Sequence, residues 1–406
     1  MHPNRAAVTK AVVASLPLLL LASVPASVAA GASRLASTAS PAVASAAGTA
    51  PVFTAHVILS GATLSHKFVP AKGGAAKRAP LSNPDDITML GKNIFVGFQN
   101  GVGPQGQPAS DGDPDSTVVE LNQNGDPLAQ WDVKGKTDGV TADAKAGVVI
   151  ATVNEDANSS LYTIDPTASA GSQVKHYRYS EALPSKGGTD AIEVYDGLIL
   201  ISASAPGTTG AAPPQPTYPA AYIVTLEATK LVAAIKPLFY DEATATVANT
   251  DSKSFGKSTT LKLVDPDSNE DVPSGSRFGG DFMLTSQGDR EQIFVSGAGT
   301  PAQKLWVLSL SQSVDDTAWP TRAGGTLYST DSTYDSVDTI TGPFKTGKPI
   351  AAATPCGQNA APPTCPAPPK WQPNYLASLN PGTGVVTALK IEGALYVPQG
   401  GLLFVP

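Results

Sequence analysis

Asn83-Pro84-Asp85-Asp86-Ile87-Thr88 is followed by Gly91-Lys92-Asn93-Ile94-Phe95-Val96-Gly97 and by Ser116-Thr117-Val118-Val119-Glu120-Leu121-Asn122. A turn at Asn124-Gly125 then leads into Leu128-Ala129-Gln130-Trp131-Asp132-Val133. Each piece is a short apolar run bounded by Gly, Pro, Asn or Asp, the punctuation of strands and turns. The order repeats at Thr137-Asp138-Gly139-Val140-Thr141, Gly147–Ala151, Ser160–Asp165 and Val174–Tyr177. It repeats again at Thr189-Asp190-Ala191-Ile192, Gly197–Ile201, Ala221–Leu226 and Leu231–Ile235. The leading Asp86, Asp138 and Asp190 are spaced by 52 residues and again by 52. A four-stranded sheet cannot bury both faces alone, and radial stacking of equal sheets solves this with only short edges left over. The repeat therefore predicts an all-β chain folded as a β-propeller. A β-helix would need shorter, more uniform coils, and a β-sandwich would not explain the Asp-led repeat.

Later units are less regular. Gly280-Asp281-Phe282-Met283-Leu284 leads into Gln292–Ser296 and Leu305–Leu310, and Asp315–Ala318 leads into Gly325–Tyr328 and Ser336–Ile340. The long step from Asp190 to Asp281 predicts an insertion over about 240–277. The C-terminal Val397–Val405 matches the first two strands of a unit, and Phe53–Ser60 with Leu64–Phe68 matches the last two. Strands from both termini are thus expected to close the ring. The count is six blades, with seven as the alternative if Tyr375–Leu379 and Val385–Ile391 are the remnant of another.

The blade motifs Pro84-Asp85-Asp86-Ile87, Gly-x-Ile-Phe-Val and Ser116-Thr117-Val118-Val119-Glu120-Leu121-Asn122 resemble those of NHL-like propellers. That class holds secreted bacterial proteins of unassigned role together with the streptogramin lyase and gluconolactonase-type families. The resemblance implies the fold. It does not imply lyase activity, because that family uses His in its late blades and no His follows His176 here. The gluconolactonase-type families hold a divalent metal with Glu, Asn and Asp, and no position-by-position match is visible in this chain.

The N-terminus has its own pattern. Arg5 and Lys10 precede an apolar stretch from Ala11 to Val24, and Val28 and Ala30 fit a signal-peptidase site. Residues 1–30 are expected to be a signal peptide cleaved near Ala30, 31–51 a flexible Ala/Ser-rich leader, and 52–406 one propeller domain. The apolar run is too short for a spanning helix, so a secreted, extracellular protein without a membrane anchor is expected. Cleavage leaves 25 basic residues against 34 acidic ones, a net charge of −9. That balance disfavours nucleic acid as a partner. In an oxidising compartment Cys356 and Cys365, the only cysteines, are expected to form a local disulfide in a Pro-rich loop.

Asp86, Asp138, Asp190, Asp281 and Asp316 are the candidate metal ligands. On innermost strands they would ring one mouth of the channel, and carboxylate oxygens suit Ca²⁺. The structural alternative is that each Asp accepts backbone N–H bonds and fixes the entry of its blade. Asp265-x-Asp267-x-Asn269-x-Asp271 and Asp111-x-Asp113-x-Asp115 alternate oxygen ligands as calcium loops do. The first of them lacks the Gly and Glu of an EF-hand. No Gly-x-Ser-x-Gly elbow and no phosphate loop occurs, and no catalytic residue can be named. Of the histidines beyond the signal sequence, His56 and His66 fall in the expected closing strands and His176 in an outermost strand. The tryptophans read as blade packing. The expected function is a monomeric, non-enzymatic scaffold binding a small molecule, glycan or protein at one mouth, decorated by loops 98–115, 203–220, 240–277 and 355–373. The alternative is a metal-dependent extracellular hydrolase of the lactonase type using the mouth carboxylates.

Overall fold

The computed structural model describes residues 52–184, 187–204, 218–356 and 373–406. The stretches expected to be a signal peptide and a leader lie outside them, as do Cys365 and Trp371. Within the described residues, five sheets of at least four strands form, and the eight-stranded one comprises two blades joined through their outermost strands. Blade 1 holds Pro84–Leu90, Asn93–Phe98, Asp115–Leu121 and Pro127–Lys134. Blade 2 holds Thr137–Asp143, Val148–Val153, Ser160–Ile164 and Val174–Tyr179. Blade 3 holds Gly188–Tyr195, Leu198–Ser204, Pro219–Glu227 and Val232–Tyr240. In each, the first strand is innermost and touches the first strand of the next blade. The contact series continues through Pro266–Asp271, Val314–Ala318 and Leu402–Val405 back to Pro84–Leu90. The chain is a closed, six-bladed β-propeller.

Apolar packing follows the same count. The buried hydrophobic residues fall into six clusters, one between each pair of neighbouring blades. Strand alternation divides the residues between them. Ile94, Val96 and Phe98 turn toward blade 6, while Phe95 turns toward Val140 and Val149 of blade 2. Trp131 seals the interface of blades 1 and 2 and Trp319 that of blades 4 and 5, the packing role expected for them.

Three blades are assembled differently from the sequence reading. In blade 4 the innermost strand is Pro266–Asp271, inside the stretch read as an insertion, and Phe282–Ser286 is the second strand. The surplus residues of 240–277 form the hairpin Thr244–Val247/Ser258–Thr260, which extends the outer edge of this blade. Blade 5 joins Val314–Ala318 to Ile350–Ala353, Tyr375–Leu379 and Val386–Ala388, so the pair read as a remnant has its leading strands. The hairpin Thr326–Asp331/Ser336–Thr341 crosses instead to blade 6. There it lies between the C-terminal Leu402–Val405 and the N-terminal Val52–Ser60. Both termini close the ring, but each supplies one strand beside this hairpin rather than two. Lys390–Gly393 adds a parallel edge. His56 lies in the closing blade, whereas His66 sits in a separate hairpin, Ser65–Phe68/Lys77–Pro80.

Antiparallel order places the start of every innermost strand and every connection between second and third strands at the same mouth. The segment 98–115 is such a connection in blade 1, while most of the expected mouth loops 203–220 and 355–373 lies outside the described residues. The chain between blades 3 and 4 enters at that mouth too. No helix among the described residues is long and apolar enough to cross a membrane.

Candidate functional site: the carboxylate channel

The innermost strands enclose a polar channel of about 510 Å³. In five blades the pairing of the first two strands slips once near the mouth. Pro84 pairs with Phe98 but Ile87 with Val96; Thr137 pairs with Val153 but Val140 with Ala151; Thr189 pairs with Ala203 but Ile192 with Ile201. The same slip follows Pro266 in blade 4 and Val314 in blade 5. A β-bulge bends a strand and re-aims its side chains. The first bulged residue is an aspartate each time: Asp85, Asp138, Asp190, Asp267 and Asp315. All five line the channel.

The sixth place belongs to Gly400. Leu402 donates its N–H to Asp316 (2.6 Å) as Val140 donates its own to Asp86 (2.5 Å), which sets the register of the last blade. Gly400 has a φ of +57°, and a Cβ there would lie 2.6 Å from Asp85 Oδ1. The closing strand thus reaches the ring by having no side chain.

The expected ligands separate into three groups. Asp138 and Asp190 belong to the ring. Asp86 and Asp316 also face the channel, but they sit one residue later and their oxygens are engaged. Asp86 accepts from Ile87 N–H (2.7 Å) and, across the blade boundary, from Val140 N–H. Asp316 accepts from Thr317 N–H (2.7 Å), the Ser268 hydroxyl (2.7 Å) and Leu402 N–H of blade 6. These two act as struts between blades, the structural alternative weighed from the sequence. Asp281 is not at the channel: it precedes the second strand of blade 4, and Asp267 holds the place expected for it. The run Phe282-Met283-Leu284 looked like a strand start because it is apolar. The true innermost strand, Pro266-Asp267-Ser268-Asn269-Glu270-Asp271, is polar because it faces the channel. Its alternating oxygen side chains belong to a strand and not to a calcium loop.

Sequence reasoning missed four further residues that the fold brings to the same space. Glu155 arrives just after the second strand of blade 2, Lys136 just before the first, and Glu193 and Glu270 lie three residues beyond Asp190 and Asp267. Ten carboxyl groups therefore line the channel, and Lys136 is the single basic residue among the described residues that line it. Its Nζ donates to Asp138 Oδ1 (2.7 Å) and to Glu155 Oε1. Gln99 donates to Asp85 Oδ2 (2.9 Å) and Asp138 Oδ1 (3.3 Å), and Gln399 to Asp315 Oδ2 (3.2 Å).

Burial and mutual repulsion push these carboxyls upward. Burial is the larger cause in each. Asp85, Asp86, Asp190, Asp267 and Glu270 are raised well above the usual carboxylate range, Asp138 and Glu193 to about 7 and Asp316 to about 6. Burial alone would lower the Lys136 amine, but Asp138, Glu155 and Asp85 outweigh it and hold the ammonium firmly protonated. One ammonium therefore faces ten carboxyl groups in the channel.

One cluster has metal-ligand spacing. Asp138, Glu155 and Asp190 each offer an oxygen, and these lie within 4.8 Å of one another. Two oxygens on one Ca²⁺ at about 2.4 Å can be at most about 4.8 Å apart, so the trio fits a shared cation. Asp138 is 5% exposed, and its Oδ2 has no hydrogen-bond partner. Asn269 Oδ1, also facing the channel and buried, is likewise unpartnered. Unsatisfied buried acceptors are costly, and a cation at this place would satisfy them.

No protein-family model matches the chain, and no curated protein matches its sequence. Solved structures are similar to it at low identity. A protein of unknown function from Desulfotomaculum acetoxidans is 10% identical, with 87% of this chain and 98% of that one covered and a TM-score of 0.39. The periplasmic gluconolactonase of Pseudomonas aeruginosa is 13% identical, with 83% and 93% covered and a TM-score of 0.38. The Pan2 WD40 domain of Neurospora crassa is 9% identical, with 67% of each chain covered and a TM-score of 0.34. At such identities none of these names transfers to this chain.

Proposed function

We propose that this protein is an exported propeller scaffold that binds a divalent cation of the Ca²⁺ class at one mouth of its channel, through Asp138, Glu155 and Asp190. The signal-like N-terminus supports export. The observation that carries cation binding is the unpartnered, buried Asp138 Oδ2 within a trio of metal-ligand spacing. The cation would neutralise part of the ring and fix the mouth, where the second strands of blades 1, 3 and 5 end and a ligand would be received. Loops on a rigid scaffold are the usual seat of specificity. Calorimetric titration of the purified chain with Ca²⁺ and Mg²⁺ tests this reading. Binding of Ca²⁺ that is lost in Asp138→Asn and kept in Asp281→Asn supports it. No heat and no rise in melting temperature with either cation refutes it.

A second reading, hydrolysis of an ester or lactone at the same mouth, has one observation in its favour. Asp267 and Asp315 hydrogen-bond to each other, Asp267 being raised well above the usual range, by burial first and then by its neighbours' charge. A carboxyl pair sharing a proton can supply both an acid and a base. Turnover of a lactone panel that falls at least a hundredfold in Asp267→Asn is the expected result of this reading; absence of turnover removes it.

A further inference from the structure

Lys136 does not recur with the fold. The residues two places before the ring aspartates in the other bulged blades are Asn83, Gly188, Asp265 and Ser313, none of them basic. Scaffolding repeats from blade to blade, as the bulge does; a residue present in one blade is there for that blade alone. Its ammonium lies against Asp138 and Glu155, two of the three groups whose oxygens share metal-ligand spacing. A cation belonging to the protein itself therefore already pairs with two of the three groups.

Resting on the cation-binding reading above, we propose that Lys136 is a tethered competitor: its ammonium occupies the divalent site until a metal ion displaces it, and so sets the affinity of that site. The geometry permits the exchange without rebuilding the blade. The Lys136 backbone is held on both sides by Asn154, whose Oδ1 accepts the Lys136 N–H (3.0 Å) and whose N–H donates to the Lys136 carbonyl (2.7 Å). Only the side chain has to move. It is 17% exposed, so a path to solvent is open. The leaving ammonium gives up two charge-assisted hydrogen bonds and regains water, while the arriving ion brings two charges to a cavity lined by carboxyls. The ammonium also spares the empty site the cost of gathering Asp138, Glu155 and Asp190 around nothing. A preformed site that holds its own counter-ion binds metal more weakly than the same site without one, since the first step is a displacement.

The test compares wild type with Lys136→Met, whose side chain keeps much of the length and loses the charge. Calorimetric Ca²⁺ titrations should show at least tenfold tighter binding in the variant. In the wild-type chain, acylation of Lys136 by an amine-reactive reagent, followed by peptide mass spectrometry, should accelerate at least fivefold when Ca²⁺ is saturating. This second measurement needs no variant and stands if Lys136→Met fails to fold. Wild-type binding with an affinity changed less than threefold in Lys136→Met, or a Lys136 acylation rate that Ca²⁺ leaves unchanged, overturns the competitor while leaving the cation reading intact. Binding by Lys136→Met alone overturns the cation reading for the natural chain, and with it a competitor that metal displaces. Binding by neither chain overturns both.

Discussion

Replacing His66 should remove a large part of the pH dependence of stability above neutrality. His66 is fully buried in the hairpin that flanks blade 1, with Nε2 2.8 Å from Asp113 Oδ2 and Nδ1 3.3 Å from Asp132 Oδ1. Asp115 is a further carboxyl nearby and Lys134 a cation beyond it. Burial by itself would lower the imidazole, but the two hydrogen-bonded carboxylates more than reverse it and hold the group at about 9 instead of 6.5. At 1.36 kcal/mol for each tenfold change in proton affinity, this corresponds to about 3 kcal/mol of stabilisation. The folded state binds the proton more tightly, so the contribution is complete below pH 6.5, falls to about 2 kcal/mol at pH 7.5 and is gone near pH 10. Urea unfolding of wild type and His66→Gln at intervals from pH 6 to pH 10 measures it. The difference between the two chains should shrink by about 3 kcal/mol across that range, while other titrations cancel in the subtraction. Paired His66→Gln/Asp113→Asn chains guard against a loss caused only by an orphaned Asp113. Two stability curves that stay parallel from pH 6 to pH 10 would refute an imidazolium at this position.

Other expectations address the ring. Asp316→Ala should lose about 2–4 kcal/mol in urea unfolding, since it strips acceptors from Thr317 N–H, Leu402 N–H and the Ser268 hydroxyl in a buried place; an unchanged midpoint would show that the strut carries nothing. Gly188→Ala should weaken Ca²⁺ binding at least tenfold, because its Cβ would meet the Glu155 carbonyl oxygen at 1.8 Å and push that segment out of the trio; unaltered titration curves would argue against Glu155 as a ligand. Deleting residues 401–406 removes the innermost strand of blade 6 and exposes Leu327 and Tyr328 beneath it. The truncated chain should lose its cooperative melting transition, and a melting temperature within two degrees of wild type would deny that this strand closes the ring.

The blades were readable in the sequence where one face of every strand must be apolar. Ile94-Phe95-Val96 and Val148-Val149-Ile150-Ala151 had to be buried on both faces, and turn residues at fixed spacing marked their ends, so blades 1 to 3 matched their predicted strands. The reading failed where a strand faces polar space or where topology departs from chain order. Pro266–Asp271 carries no apolar signal because its side chains point into the channel. The hairpin Thr326–Thr341 has the pattern of any inner pair, and nothing local says that it serves the next blade.

The site shows the same division with more consequence. Composition and the Asp-led repeat determined that carboxylates gather at one mouth. Which carboxylates do so was decided by the bulges, because one extra residue in a strand redirects every side chain after it. That single step makes Asp85 and Asp315 ring members and turns their neighbours Asp86 and Asp316 into struts. Lys136 and Glu155 lie 19 residues apart and on either side of two strands, with no motif to join them. Only the return of the second strand to the mouth of the first sets the ammonium among the acids. Sequence carries what each strand must bury; the closing of six strands around one axis decides which charges must share a space.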